Sequence, residues 1–219
     1  SFAKITAIIP AHNEEVTIAD VVHVLIASPY IGEVLVVSDG STDKTVERAR
    51  SEGATVHELS EKGGKGNAML KGVELTNAEV VGFFDADLLG LTQEHVEQLV
   101  LPVVRGSRMM NVGLRDKGPI GTFIAKHLPL IGGERVMLRQ VIEGVPPKFL
   151  KGFMVETSLN YYCRSRGYGY GAVILNALTM RKKYEKVGLW RAVIQYVKMW
   201  YAVAKAMIIV RTARLRNEF

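Results

Sequence analysis

The sequence predicts an α/β fold: a Rossmann-like, mostly parallel sheet flanked by helices. Three observations predict it. Short apolar, β-branched runs alternate with stretches of helical periodicity over residues 4–90. That alternation is the mark of β-α-β units, and hence of a parallel sheet covered on both faces. Polar clusters also follow the first, second and fourth runs. Ligands of such sheets bind beyond the carboxyl ends of the strands, so these clusters are expected to meet at one site.

Taken in order, residues 4–9 form an apolar run stopped by Pro10, which reads as a buried strand. Residues 14–26 carry Val16, Ala19, Val22 and Ile26 at helical spacing. A second strand over 34–37 ends in the turn cluster 38–43, where Ser41 or Thr42 can cap a helix running to about residue 52. A third strand follows at 54–57, then a glycine-lysine loop at 62–66, a helix at 67–75 and a fourth strand at 80–84 that leads into Asp85-Ala86-Asp87. Between 106 and 147 glycine and proline recur, and the expectation is a loop-rich region with one or two helices, including an amphipathic piece at 134–141. Residues 153–166 read as a helix closed by Gly167, and 172–175 as a final strand.

The chain has 219 residues, 48% of them hydrophobic, which suits a globular protein with a substantial core. Its one cysteine, Cys163, allows no internal disulfide and reads as a packing residue. No secretory leader is expected, because Ser1-Phe2-Ala3-Lys4 runs straight into the first strand.

The net charge of +6 is concentrated at one end: residues 181–219 hold ten Lys and Arg against two Asp and Glu. Within that segment a long amphipathic helix is expected from 189 to about 216. Arg191, Lys198 and Lys205 form a narrow polar stripe on an otherwise apolar helix that carries Trp190, Val197, Trp200 and Ile208. No stretch reaches the roughly 18 uninterrupted apolar residues of a spanning helix. The pattern is that of a helix lying in a membrane interface; the alternative is a helix packed on its own sheet or in a homodimer. An anionic partner is expected for this end, membrane rather than nucleic acid.

Asp85 and Asp87 leave a strand together and can turn toward one cation. Their hard oxygen ligands suit Mg²⁺ or Mn²⁺, which commonly bridge to substrate phosphates. Lys65, in Gly63-Gly64-Lys65-Gly66, can neutralise phosphate charge beside approachable backbone amides, although the spacing is not that of a P-loop. Asp39, with Ser41 and Asp43, can accept a hydrogen bond from a base or ribose, as can Asn13 and Glu14. Helix capping is the competing role for each.

These segments together resemble a known family. Ile8-Ile9-Pro10-Ala11-His12-Asn13-Glu14-Glu15, Val37-Ser38-Asp39-Gly40-Ser41-Thr42-Asp43, Gly64-Lys65-Gly66-Asn67-Ala68 and Asp85-Ala86-Asp87 are similar, in order, to the signature of family 2 glycosyltransferases of the GT-A fold. Gly106-Ser107-Arg108, the segment 133–139 and Gly152-Phe153-Met154-Val155-Glu156-Thr157 resemble the polyprenyl-phosphate sugar transferases, such as dolichyl-phosphate mannose synthase.

The resemblance implies a GT-A domain over residues 1–188, with a nucleotide-binding half (1–90) and an acceptor half (91–188), and a basic helix over 189–219. It implies a UDP- or GDP-linked sugar donor held by Pro10, Ala11, Asn13, Glu14, Asp39, Lys65, Asp85 and Ala86. Mg²⁺ or Mn²⁺ would sit on Asp85 and Asp87, with Asp87 catalytic. Arg108, Arg135, Arg139 and Arg181 are candidates for the diphosphate or an acceptor phosphate. Glu156 is the candidate base for a hydroxyl acceptor, or a structural acceptor if the substrate is an ionised phosphate.

Two departures stand out. Leu89 occupies the position of a metal-binding Gln in the synthases, and the segment around Arg181 lacks their usual wording. The expected reaction is transfer to a lipid-linked phosphate by a cytoplasmic enzyme peripheral to the inner face of the membrane. The alternatives are a soluble enzyme acting on a small phosphorylated acid such as phosphoglycerate, and a non-catalytic membrane-binding module. A sugar nucleotidyltransferase would carry a glycine-rich turn with an arginine where this chain has Pro10-Ala11-His12-Asn13-Glu14.

Overall fold

The computed structural model describes residues 4–116, 132–151 and 154–181, with Tyr201, Lys205, Ile208, Ile209, Arg211 and Thr212. The strands are β1 (Ile5–Ala11), β2 (Ile31–Ser38), β3 (Thr55–Glu58), β4 (Val80–Phe83), β5 (Leu88–Leu89), β6 (Met110–Arg115), β7 (Arg135–Leu138), β8 (Tyr170–Leu175) and β9 (Thr179–Met180). The helices are α1 (Ile18–Ile26), α2 (Thr45–Ser51), α3 (Lys65–Glu74), α4 (Gln93–Val104), α5 (Arg139–Glu143) and α6 (Met154–Ser165).

Seven strands form one sheet in the order β3-β2-β1-β4-β7-β6-β8, and β5 pairs with β9 in a separate ribbon. β3, β2, β1 and β4 run parallel. β7 is antiparallel to both β4 and β6, and β8 runs parallel to β6. Six of the seven strands therefore point the same way, and their carboxyl ends share one edge.

Period-two alternation explains why this sheet has a core on each face. Along β1, Ile5, Ala7 and Ile9 pack with α1 and α4 residues such as Val22 and Leu99. Ile8 packs on the opposite face with Leu35, Met69 and Leu159. Helix α3 lies close on β1, since a Cβ added to Gly72 would stand 2.4 Å from Ile8 Cγ2.

The predicted alternation over residues 4–90 matches the observed β1 to β4, with shifted helix starts. The helix expected from residue 14 begins at Ile18, because Asn13 takes a left-handed conformation (φ 55°) and the next residues bond to the following loop. The expected cap on α2 is replaced: Asp43 Oδ1 accepts from the Thr45 amide at 3.0 Å. Ser41 instead bonds Ser38 and Asn13, and the Thr42 amide donates to Asn13.

The second half departs further. Residues expected to be loop-rich contain β6 and β7, and the piece read as an amphipathic helix at 134–141 is β7 followed by the short α5. Val136 and Met137 project to opposite cores, and pairing with β4 overrides their local helical spacing.

Among the described residues, no helix is long and apolar enough to cross a membrane. The expected helix over 189–216 lies outside the described residues, apart from the six positions above. Those six are helical, with Ile209 against the second core while Tyr201, Lys205 and Ile208 face solvent.

Cys163 is fully buried in that second core. Burial pushes its thiol up to about 11, although the Arg135 guanidinium pulls the other way. The thiol is then neutral below that pH, and the stability this contributes is lost as pH rises from the unfolded value, 9.0, through about 11. The folded protein should resist alkylation at pH 8 and react at once in denaturant, as mass spectrometry would read.

Candidate active site

The ends of β1, β2 and β4 converge with the start of α3. Pro10, Ala11, His12, Glu14, Asp39, Lys65, Ala68, Asp85, Ala86, Asp87 and Met180 line one cavity of about 290 Å³. This is the meeting of strand-end clusters that a parallel sheet imposes.

Each loop is locked by its neighbour. Asn13 Oδ1 accepts from the Thr42 amide at 2.8 Å, and Thr45 Oγ1 accepts from the Glu14 amide at 2.8 Å. The Asn13 side chain thus joins two loops and is not among the cavity-lining residues. Asp39 accepts from the Gly63 and Gly64 amides at 2.7 and 2.9 Å. Gly64 has φ 81°, a conformation that suits glycine, and α3 starts at the next residue, Lys65. Asp39 therefore orders the glycine loop, and its carboxylate keeps lone pairs for a ligand.

Asp85 sits between two cations: Lys65 Nζ is 2.6 Å from Oδ1, and Arg115 Nη2 is 3.8 Å from Oδ2. Burial opposes the charge on Lys65, but the Asp85 and Glu156 carboxylates raise its pKa above the ordinary lysine value. Gly133 closes the space behind, since a Cβ there would be 2.1 Å from Asp85 Oδ2. The carbonyls of the next two residues are pinned as well. Thr17 Oγ1 donates to the Ala86 carbonyl at 2.7 Å, and the Arg181 amide donates to the Asp87 carbonyl at 2.9 Å. The β5–β9 ribbon delivers Met180 and Arg181 to this rim.

The basic residues divide. Arg115 ends β6 on the shared carboxyl edge and bonds the fully buried Glu134 at 3.1 Å. Burial and the Asp85 carboxylate raise the Glu134 pKa, and Arg115 opposes them. Arg135 is buried beneath the site, its Nη2 donating to the Gly132 carbonyl at 2.8 Å. Desolvation lowers its pKa, while the Glu156 and Glu134 charges offset that. Glu156, in the first turn of α6, is thus near enough for its charge to act on both Lys65 and Arg135.

Arg108 and Arg139 are not brought to the cavity. Arg108 precedes β6 at the far edge and donates to Asn111 Oδ1 at 2.6 Å. Arg139 follows antiparallel β7, whose last residue, Leu138, pairs with Val80 at the start of β4. It bonds Glu143 and the Thr76 carbonyl there. Sequence reasoning missed Arg115, Glu134 and Thr17. The signal for Arg115 was available: Met110, Val112 and Leu114 alternate into the core, and Arg115 closes the run.

The fold and site define an α/β domain with an acidic pair facing a cavity at the strand ends. The model of Glycosyl transferase family 2 matches residues 6–166, and the chain belongs to that family. A 4,4'-diaponeurosporenoate glycosyltransferase of Staphylococcus aureus is 39% identical over 102 residues, 44% of this chain and 27% of that protein. The chain thus matches about a quarter of that relative's length. A mycobacterial protein of known structure is 25% identical with a TM-score of 0.72, covering 84% of this chain and 69% of its own. Glucosyl-3-phosphoglycerate synthase from Mycobacterium tuberculosis, solved with Mg²⁺ and UDP, has a TM-score of 0.77 at 23% identity, covering 95% and 79%. The sheet is that of a GT-A domain.

Gly133→Ala should crowd Asp85 and, as overpacking, lower stability by about 1–3 kcal/mol. Circular dichroism should show the fold retained, and denaturant unfolding measures the loss.

Proposed function

We propose that the chain is a glycosyltransferase moving a sugar from a nucleoside-diphosphate sugar to an anionic acceptor, with a divalent cation on the donor diphosphate. The observation that carries this is the convergence of Asp85, Asp87 and Lys65 on the cavity formed by the ends of β1, β2 and β4. Pro10, Ala11, Glu14 and Asp39 are the nucleoside side of that cavity, and the acidic pair with Lys65 is the diphosphate side.

The residues suit Mg²⁺ or Mn²⁺. Among the described residues no group of three or more His, Cys, Asp or Glu forms a complete cation site. Two carboxylates with open positions are the set such ions use when phosphate oxygens and water supply the rest. Leu89 pairs with Thr179 in the ribbon, so it supplies backbone where the synthases supply a ligating Gln. When bound, the cation would offset the negative charge that builds on the departing nucleoside diphosphate. Lys65 would share that charge, and Glu156 would face the acceptor, as base for a hydroxyl or as hydrogen-bond acceptor beside an ionised group.

Two acceptor readings follow. Transfer to a lipid-carried acid at the cytoplasmic membrane surface is favoured by the basic segment 181–219 and by the carotenoid acid in the relative's name. Transfer to a small phosphorylated acid is favoured by the fold's likeness to a synthase solved with phosphoglyceric acid, and would leave the apolar residues of 189–216 for a homodimer.

A panel of UDP- and GDP-sugars with Mg²⁺ or Mn²⁺, offered polyprenyl phosphate or phosphoglycerate, separates them. Nucleoside diphosphate release should require a metal and one acceptor class. Asp87→Ala should reduce it by on the order of 100-fold or more. Full activity in that variant, or release unchanged by chelator, contradicts the proposal.

A further inference from the structure

We propose that Glu134 is a positioning residue: through Arg115 it keeps Asp85 available to the cation. The inference rests on the metal–diphosphate reading above. Glu134 is the most deeply buried carboxylate among the described residues, at 0% exposure. Its Oε1 accepts from Arg115 Nη2 at 3.1 Å, and that same nitrogen stands 3.8 Å from Asp85 Oδ2. The guanidinium therefore hangs between two carboxylates, bonded to one and held beyond bonding distance of the other.

The backbone makes Glu134 the fixed end of this chain of charges. Its carbonyl accepts from the Gly113 amide at 2.8 Å, tying it to β6. Two residues before it, the Gly132 carbonyl is held by Arg135, and a Cβ on Gly132 would lie 2.2 Å from the Gly113 carbonyl oxygen. Gly133 is pressed against Asp85 itself. Arg115 is the freer partner, its side chain 27% exposed.

The pairing is also incomplete. Glu134 Oε2 and Arg115 Nε are both buried and have no hydrogen-bond partner among the described residues. A guanidinium and a carboxylate bond most strongly in bidentate geometry, and an ion pair kept for stability alone would close that second bond. A single contact leaves the guanidinium displaced toward Asp85 without reaching it. If Glu134 were removed, the nearest remaining anion for this cation is Asp85 Oδ2. The guanidinium would bond there and occupy an oxygen the metal needs.

The test is calorimetric titration of UDP and of GDP, with and without Mn²⁺, using whichever nucleotide the unaltered protein binds more tightly. Glu134→Ala should weaken Mn²⁺-dependent binding by about 10–100-fold, the range for outer-shell partners of a metal site, and change metal-free binding by less than about threefold. Glu134→Gln keeps an oxygen acceptor in place and should lose less. Because Glu134 acts through Arg115, the double variant Glu134→Ala/Arg115→Met should bind the Mn²⁺ complex more tightly than Glu134→Ala alone, a non-additivity that a merely structural role would not produce.

The positioning role is overturned if Glu134→Ala keeps the metal dependence of the unaltered protein. It is equally overturned if the double variant is no better than the single one. If the single variant fails to fold, Glu134→Gln decides: a metal dependence equal to that of the unaltered protein removes the role. Should the unaltered protein bind nucleotide equally well with and without Mn²⁺, the metal reading itself fails and this inference falls with it.

Discussion

Asp85 is held by a cation on each side and a glycine behind it, and the rest of the site is arranged around that constraint. Lys65 reaches it because Asp39 fixes the amides of Gly63 and Gly64, which places the start of α3. Arg115 stands 3.8 Å from it because β6 runs parallel to β4 and ends on the same edge. Gly133 reaches it because β7 returns antiparallel between them. Four segments distant in sequence, those of Lys65, Asp85, Arg115 and Gly133, therefore meet at one carboxylate, and none is placed by local preference alone.

The balance of charge explains why so many ionisable groups share a partly buried place. Asp85, Asp87, Glu134 and Glu156 face or flank Lys65, Arg115 and Arg135. Burial penalises each charge separately, and opposite neighbours offset the penalty. The resulting set is close to neutral with a small acidic excess, the surroundings that the proposed divalent cation and diphosphate would meet. Arg135, wholly enclosed, works on the backbone: its bond to the Gly132 carbonyl holds the segment that backs Asp85.

Much of the first half was legible in the sequence, and the reason is local. β1, β2 and β4 are apolar runs whose buried residues are contiguous, and each ends in a polar cluster that the sheet must place on one edge. Asp39, Lys65, Asp85 and Asp87 could be assembled from that rule. The second half was less legible because its strands are set by distant partners. β7 is four residues long, and Val136 and Met137 point to opposite cores, so it reads as a helix until β4 is beside it. The Gly106-Ser107-Arg108 likeness pointed to Arg108, which stands before β6, whereas the arginine at the site is the one that ends the strand. Asn13 looked like a ligand-binding residue and holds two loops together, a role visible only through its positive φ and its bond to Thr42.

In the proposed reaction Asp85 and Asp87 hold a divalent cation on a nucleoside diphosphate. Electron paramagnetic resonance of Mn²⁺ added with UDP or GDP reads this directly. A protein-bound Mn²⁺–nucleotide spectrum, distinct from that of the Mn²⁺–nucleotide complex in buffer, is expected, and Asp85→Ala and Asp87→Ala proteins that remain folded should show the buffer spectrum. A buffer spectrum with the unaltered protein, or a protein-bound spectrum that survives both substitutions, rules the cation site out.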